Sequence, residues 1–402
     1  MQPTIVSSMV ESPDLVPLIF SFLPPSAYLA SSLVCCLWEM VSRPYLFQHI
    51  TALQSLSFTQ CIALFTGNRE IPSYVRSFCF HHSVQPPMNV DDHVDLFIQY
   101  AMSTCHNLVS ITFWNIPIKG NGFSLLHPYN PVRVLTFQNC TFDYDALLPL
   151  LSACTNLKLL QFANRNLFIN QSTYHGAHLN DWITQWGTIS AVLPVRKPRP
   201  FALLIQSPRE SFPKGFWSVL LTNLDYSGLE HLKLHPHTEN AAIIPVFMAS
   251  CLPYITHLET SCLGESFVIS MTPNRRVIGS LPLASAARLT HLRLDTVWGT
   301  REITQPTLTS LHSVDSLTTI VIVFYVGTVV DEIMRAVVSV LEDLKTKQLS
   351  SITFLFKRLA HGSTQTNFPN IPDILPTVRE KMRETFLRAK VVKADWLCNA
   401  KK

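Results

Sequence analysis

From residue 75 onward the chain repeats a six-residue phrase, apolar-x-x-apolar-x-apolar, with mostly polar residues between the apolar ones. It stands at Val75-Phe78-Phe80, Leu108-Ile111-Phe113, Val132-Leu135-Phe137 and Leu157-Leu160-Phe162. It returns at Leu229-Leu232-Leu234, Ile255-Leu258-Thr260, Leu289-Leu292-Leu294, Leu317-Ile320-Ile322 and Leu349-Ile352-Phe354. Alternation over its last three positions predicts a short strand with one buried side. Helical periodicity at 92–102, 144–154, 241–251 and 331–344 precedes several copies. Helix, loop and strand recurring every ~24–34 residues is the spacing of a stacked solenoid, with parallel strands in one sheet and helices outside it. Between 165 and 228 the phrase nearly vanishes: Phe201-Leu204 reads as a damaged copy and Val195–Pro200 as an exposed loop.

The two ends follow a different pattern. Ser12-Pro13-Asp14 is a helix start, with a capping Ser, Pro at the first helical position and an acid in the first turn. Leu15, Leu18, Ile19, Phe22 and Leu23 then form an apolar helical face. Pro24-Pro25 ends that helix, and Ser26 starts a second segment carrying Leu29, Leu33, Val34 and Trp38, which Arg43-Pro44 is predicted to break. So small a unit cannot bury this much apolar surface alone. At the other end Leu375, Val378, Met382, Phe386 and Ala389 mark an amphipathic helix, expected to cap the open end of the repeats.

Two of these regions resemble known families. The string Pro13-Asp14-Leu15-Val16-Pro17-Leu18-Ile19-Phe20-Ser21-Phe22-Leu23-Pro24, then Leu29, then Val34-Cys35-Cys36-Leu37-Trp38, resembles the F-box. The family's usual leucine before the proline is Ser12 here. Cys105-His106-Asn107-Leu108 and Ala153-Cys154-Thr155-Asn156-Leu157 resemble the opening of an irregular leucine-rich repeat, and Asn115, Asn139-Cys140 and Asn164 keep its Asn/Cys position after the strand. The resemblance implies an α/β chain in three parts: an all-α F-box at 10–50, an irregular leucine-rich-repeat solenoid at 51–360 and a capping helix and tail at 361–402. It also implies a non-catalytic substrate-recognition subunit of a Skp–cullin–F-box ubiquitin ligase. The F-box would bind a Skp-type adaptor, and through it a cullin, by way of Pro13, Leu15, Ile19, Leu23, Leu29, Val34 and Trp38. The repeats would hold a client protein. The alternative is an interaction scaffold acting outside a cullin ligase.

In a strand of this kind the residues between the apolar positions face the concave side. Three copies share the wording His-Leu: they present His231, Lys233 and His235, then His257 and Glu259, then His291, Arg293 and Asp295. If those strands are neighbours, the three histidines form a column at about the 4.8 Å strand spacing. With Lys233 and Arg293 they would suit an acidic or phosphorylated client segment. Earlier copies show a more neutral surface on which Trp114 is the anchor candidate.

Composition narrows the field further. Hydrophobic residues make up 47% and charged residues 14%, so the chain is heavily buried. A net charge of +4 is too small for a counterion-driven nucleic-acid binder. The 12 glycines leave little material for a phosphate-cradling loop, and no hydrolase, metalloprotease or dinucleotide motif occurs. The ten cysteines show no CxxC pair. They read as reduced thiols of a cytoplasmic or nuclear protein, with no cofactor, no metal and no membrane span expected. His81-His82 and Asp91-Asp92-His93 read as a loop and a helix start rather than as a metal cluster.

Overall fold

The computed structural model describes residues 15–81, 93–118, 131–142, 144–163, 167–168, 197–206, 214–235, 244–261, 283–297, 311–326, 337–338, 340–342, 344, 349–358, 371–386 and 389–397. The chain is α/β, with parallel strands, and divides into two compact units. The first holds most of the residues before 160 and the second most of those from Arg199 onward.

The first unit opens with short helices: α1 (Leu15–Phe22), a 3-10 turn (Pro25–Ala27), α2 (Tyr28–Ser32) and α3 (Cys36–Leu46). The helix start at Ser12-Pro13-Asp14 lies outside the described residues. Pro44 does not stop α3, which runs two residues beyond it. A proline here costs only the bond to the Met40 carbonyl, on a solvent-facing stretch of the last turn. Strand β1 (His49–Leu53), α4 (Gln54–Gly67) and α5 (Ile71–Tyr74) follow, and then β2 (Ser77–His81). Next come α6 (His93–Thr104), β3 (Ser110–Trp114), β4 (Pro117–Ile118), β5 (Val134–Gln138), β6 (Thr141–Phe142) and α7 (Tyr144–Ala153). After α7 the chain forms β7 (Leu159–Ala163) and β8 (Leu167–Phe168).

In this unit β1, β2, β3 and β5 pair in parallel in chain order, and β4, β6 and β8 make a small parallel sheet of their own. The phrase works as its spacing predicts: Phe78 and Phe80, Ile111 and Phe113, and Leu135 and Phe137 are fully buried. Phe80, Phe113 and Phe137 stack in a row at 5.2 and 5.4 Å between ring centroids. After β3 and β5 the chain turns through Asn115 (φ 55°) and Asn139 (φ 53°), the left-handed conformation that Asn tolerates better than most residues. The buried thiol of Cys140 donates to the Phe113 carbonyl at 3.2 Å. Asn164 lies outside the described residues.

The second unit contains β9 (Ala202–Gln206), α8 (Lys214–Asn223), β10 (His231–His235), α9 (Ile244–Cys251), β11 (His257–Ser261), β12 (His291–Val297), β13 (Thr319–Val326), β14 (Ser351–Arg358), α10 (Ile371–Thr385) and β15 (Val391–Leu397). Strands β9 to β15 pair in parallel, again in chain order. Two expectations need correction. The copy near 201 is intact but shifted by one residue: Pro200, Leu203 and Ile205 are buried, while Phe201 is 41% exposed. Proline takes the first apolar position, and the loop before it buries Pro198 as well. The tail supplies α10 with Val378 and Met382 buried, and Phe386 buried just after it, but the chain then returns as β15 beside β14. The Arg379 guanidinium donates to the Ala394 carbonyl at 2.6 Å, fastening helix to strand.

The starts of β11 to β14 share one device. Two successive backbone N–H groups, those of Thr256 and His257, donate to the Glu230 carbonyl at 2.9 and 3.0 Å. The same pairing joins Thr290 and His291 to Thr256, Thr318 and Thr319 to Thr290, and Ser350 and Ser351 to Thr318. In each case the hydroxyl of the first residue donates to that same carbonyl: Thr256 at 3.3 Å, Thr290 at 3.1 Å, Thr318 at 3.1 Å and Ser350 at 3.0 Å. A run of side-chain hydrogen bonds thus parallels the backbone ladder and fixes which residues stand side by side.

Candidate functional site: a helical patch and a histidine groove

Two surfaces hold the candidate residues, one in each unit. The first is on α1–α3. Helix α1 (LVPLIFSF) is apolar all round, so two faces compete for the interior. Val16 and Phe20 win and are fully buried. Phe20 is ringed by Tyr28, Trp38 and Tyr45 at centroid distances of 6.0, 5.4 and 5.6 Å. The Tyr45 hydroxyl donates to the Pro17 carbonyl at 3.2 Å, tying α3 to α1.

The face predicted from Leu15, Leu18, Ile19 and Phe22 is therefore the outward one, and all four are exposed. Leu29 (66% exposed), Leu33 (81%), Val34 and Met40 extend this apolar surface onto α2, the following turn and α3. Of the named adaptor candidates, Leu15, Ile19, Leu29 and Val34 lie exposed and Leu23 and Trp38 are half-buried, Trp38 bracing Phe20 from within. Pro13 lies outside the described residues. Phe22, Leu33 and Met40 were not among the named contacts; the exposure of every position not needed to surround Phe20 identifies them.

The second surface is an open groove of about 510 Å³ on the sheet of the second unit, lined by Phe201, Leu204, His231, His257, His291 and Val321 among others. Backbone register places His231 beside His257 and His257 beside His291. The imidazoles stack at 4.2 and 4.1 Å between centroids, with interplanar angles of 26° and 11°. Phe201 lies 4.9 Å from His231 and lengthens the row by one ring. Thr256 Oγ1 and Thr290 Oγ1 each lie 2.8 Å from the Nδ1 of the histidine that follows, orienting the rings. The column anticipated from the shared His-Leu wording is thus present.

One step further along the strands runs a row of charges. Lys233 Nζ is 2.6 Å from Glu259 Oε1, and Arg293 Nε is 3.5 Å from the same oxygen and 3.2 Å from Asp295 Oδ1. Both cations are already engaged by carboxylates, which alters the picture of a bare basic patch. Burial, and then the neighbouring His291 and His231, hold His257 below the ordinary imidazole pKa of 6.5. His235 is lowered as well, chiefly by burial, with Asp295 acting in the opposite direction. The groove histidines fall in no cluster able to hold a metal among the described residues. Parallel stacked rings aim their nitrogens side by side rather than at a common point.

Trp114 ends β3 in the first unit, 37% exposed, and packs against His81 with ring centroids 4.4 Å apart and planes tilted by 45°. His82 and Asp91-Asp92 lie outside the described residues. Burial pushes the thiols of Cys105, Cys140 and Cys154 up to about 12, leaving them inert, while Cys35 and Cys36 are exposed. No described helix is long and apolar enough to cross a membrane. Neither family models nor curated proteins match the chain, so the two resemblances rest on the residues quoted for them.

Proposed function

We propose that this chain is a non-catalytic client receptor: its N-terminal helices act as an F-box that docks on a Skp-type adaptor, and through it a cullin, while the repeats form a leucine-rich-repeat solenoid that holds a client for ubiquitination. The observation that carries this reading is the uncovered apolar face of α1–α3. Leu18, Phe22, Leu29, Leu33 and Met40 spend their side chains on solvent although Val16 and Phe20 already complete the interior. Exposed apolar side chains gathered on successive short helices are a mark of a protein interaction site, and these fall within the segment that resembles the F-box. The histidine groove, concave and flanked by ion pairs, supports the client-holding half of the reading. In such a receptor the function is positioning, and the bond-forming chemistry belongs to a ubiquitin-charged enzyme elsewhere in the complex.

Co-purification tests the reading. The full chain, expressed with a Skp-type adaptor and a cullin, is expected to bring down both. Recovery of neither removes the ligase reading. Recovery of the adaptor alone favours the second reading, a scaffold acting outside a cullin ligase.

A further inference from the structure

The two cations beside the groove are both paired with carboxylates. On the row beside the imidazoles, Lys233 and Arg293 supply two positive charges and Glu259 supplies one negative charge; Asp295, two residues beyond Arg293, supplies the second. The ladder row itself, Ala202, His231, His257, His291 and Thr319 in register, contains no carboxylate. The charged or titratable groups facing His257 are His231, Lys233 and the flanking Glu230 from β10, Glu259 on its own strand, and His291, Arg293 and Asp295 from β12. Glu259 is held by Lys233 at 2.6 Å, and Asp295 by Arg293. Strands β9 and β13 contribute Ala202, Leu204, Thr319 and Val321, none of them charged.

We propose that the groove is a proton-gated site for an acidic protein segment: neutral imidazoles leave it with no net positive charge, and protonation of the ladder makes it a net cation that holds carboxylates. This rests on the groove being the client face. A protonated imidazole in this column has an aromatic ring on at least one side, His257 and His291 have a neutral hydroxyl at Nδ1, and the ladder row itself holds no carboxylate. The missing counter-charge is supplied by the incoming segment. Binding and protonation then favour each other reciprocally, so that an acidic segment raises the ladder's proton affinity as the proton raises its own. The transition falls below neutral pH, because burial and mutual repulsion oppose charging at the centre of the stack.

The test uses the full chain and a fluorescein-labelled hexaglutamate peptide, whose side chains stay ionised above pH 5.5. Its affinity is expected to rise at least tenfold between pH 7.5 and 5.5, about tenfold per pH unit for each proton taken up. The triple variant His231→Gln, His257→Gln, His291→Gln is expected to lose that rise while keeping the thermal midpoint of the parent at pH 7.5. Glu259→Gln, which releases Lys233 from its carboxylate, is expected to bind the peptide more tightly than the parent at pH 7.5. An affinity flat with pH, or an unchanged rise in the triple variant, overturns the gate. A third variant, Val321→Trp, fills the groove without changing its charge and separates this from the client-face reading. If it abolishes recovery of ubiquitinated clients at neutral pH while peptide affinity stays flat, the groove holds clients without a gate. If it leaves clients and peptide binding unaffected, both ideas fail.

Discussion

Phe20 and Phe22 sit two residues apart on one helix and should fail in opposite ways. Phe20 is fully buried among Tyr28, Trp38 and Tyr45. Replacing it with Ala opens a cavity in a small cluster and should cost about 3–5 kcal/mol, more than three short helices are expected to withstand. Phe22 is 81% exposed. Only about a fifth of its surface is covered, so with ~150–250 Å² at stake and ~25 cal/mol per Å² its truncation should cost the fold at most about 1 kcal/mol. If an adaptor covers the rest, Phe22→Ala should weaken adaptor binding by about 1.5–3 kcal/mol, roughly ten- to more than a hundredfold in Kd. Hydrogen exchange over residues 15–46 reads the fold, and calorimetry with purified adaptor reads the binding. The reasoning is wrong if Phe22→Ala binds like the parent, or if Phe20→Ala leaves exchange protection over α1–α3 unchanged.

Two further outcomes follow from the second unit. Thr260 occupies an apolar position of the phrase, fully buried, with no hydrogen bond to its Oγ1 among the described residues. Thr260→Val replaces that hydroxyl with a methyl of like shape and should stabilise the chain by about 1 kcal/mol in chemical denaturation; a loss of stability would mean the hydroxyl has a partner. His235 has its pKa lowered by burial, so the folded state takes up its proton less readily than the unfolded chain does. At pH above the ordinary value of 6.5 both states are neutral there and the group contributes nothing; below it the unfolded state gains the proton first and stability falls. The thermal midpoint should therefore drop as pH falls from 7.5 to 5.5, and His235→Asn should flatten the slope. An identical slope in the variant would assign the loss to other groups.

Much of the sheet was legible because its buried side admits few residue types. Where the phrase recurs, the two inner positions are closed off by neighbouring strands, and apart from Thr260 the chain writes them in Phe, Leu or Ile. The imidazole column was legible for a related reason: three strands with the same wording, once adjacent, bring like residues into contact. What escaped notice lies where that constraint relaxes. Strand β15 fills its inner position with Ala394 and intersperses Lys390, Lys393 and Asp395, so its pattern resembles a charged tail. Strand β9 hid behind Phe201, which looks like a core residue but faces the groove, while Pro200 holds the buried position. Helix α1 is apolar on every side, and periodicity alone does not say which side turns inward. That choice is made by Trp38 and Tyr45, one helix away. The pairing of Lys233 and Arg293 with Glu259 is a property of strand adjacency, not of any one strand.

The hydroxyl at the starts of β11 to β14 has a consequence for how such a chain can change length. Thr256-His257 and Thr290-His291 are the same dipeptide, 34 residues apart, and each threonine donates to the carbonyl of the residue just ahead of the preceding strand. Excision of 257–290 would splice Thr256 directly to His291 and leave the joint reading as before. Duplication of the same interval would likewise create a junction already present in the parent. Gains and losses of whole modules are therefore silent at their seams, and what they alter is the number of imidazoles in the row. A lineage carrying this wording can lengthen or shorten its groove by recombination without having to invent a new contact at the join.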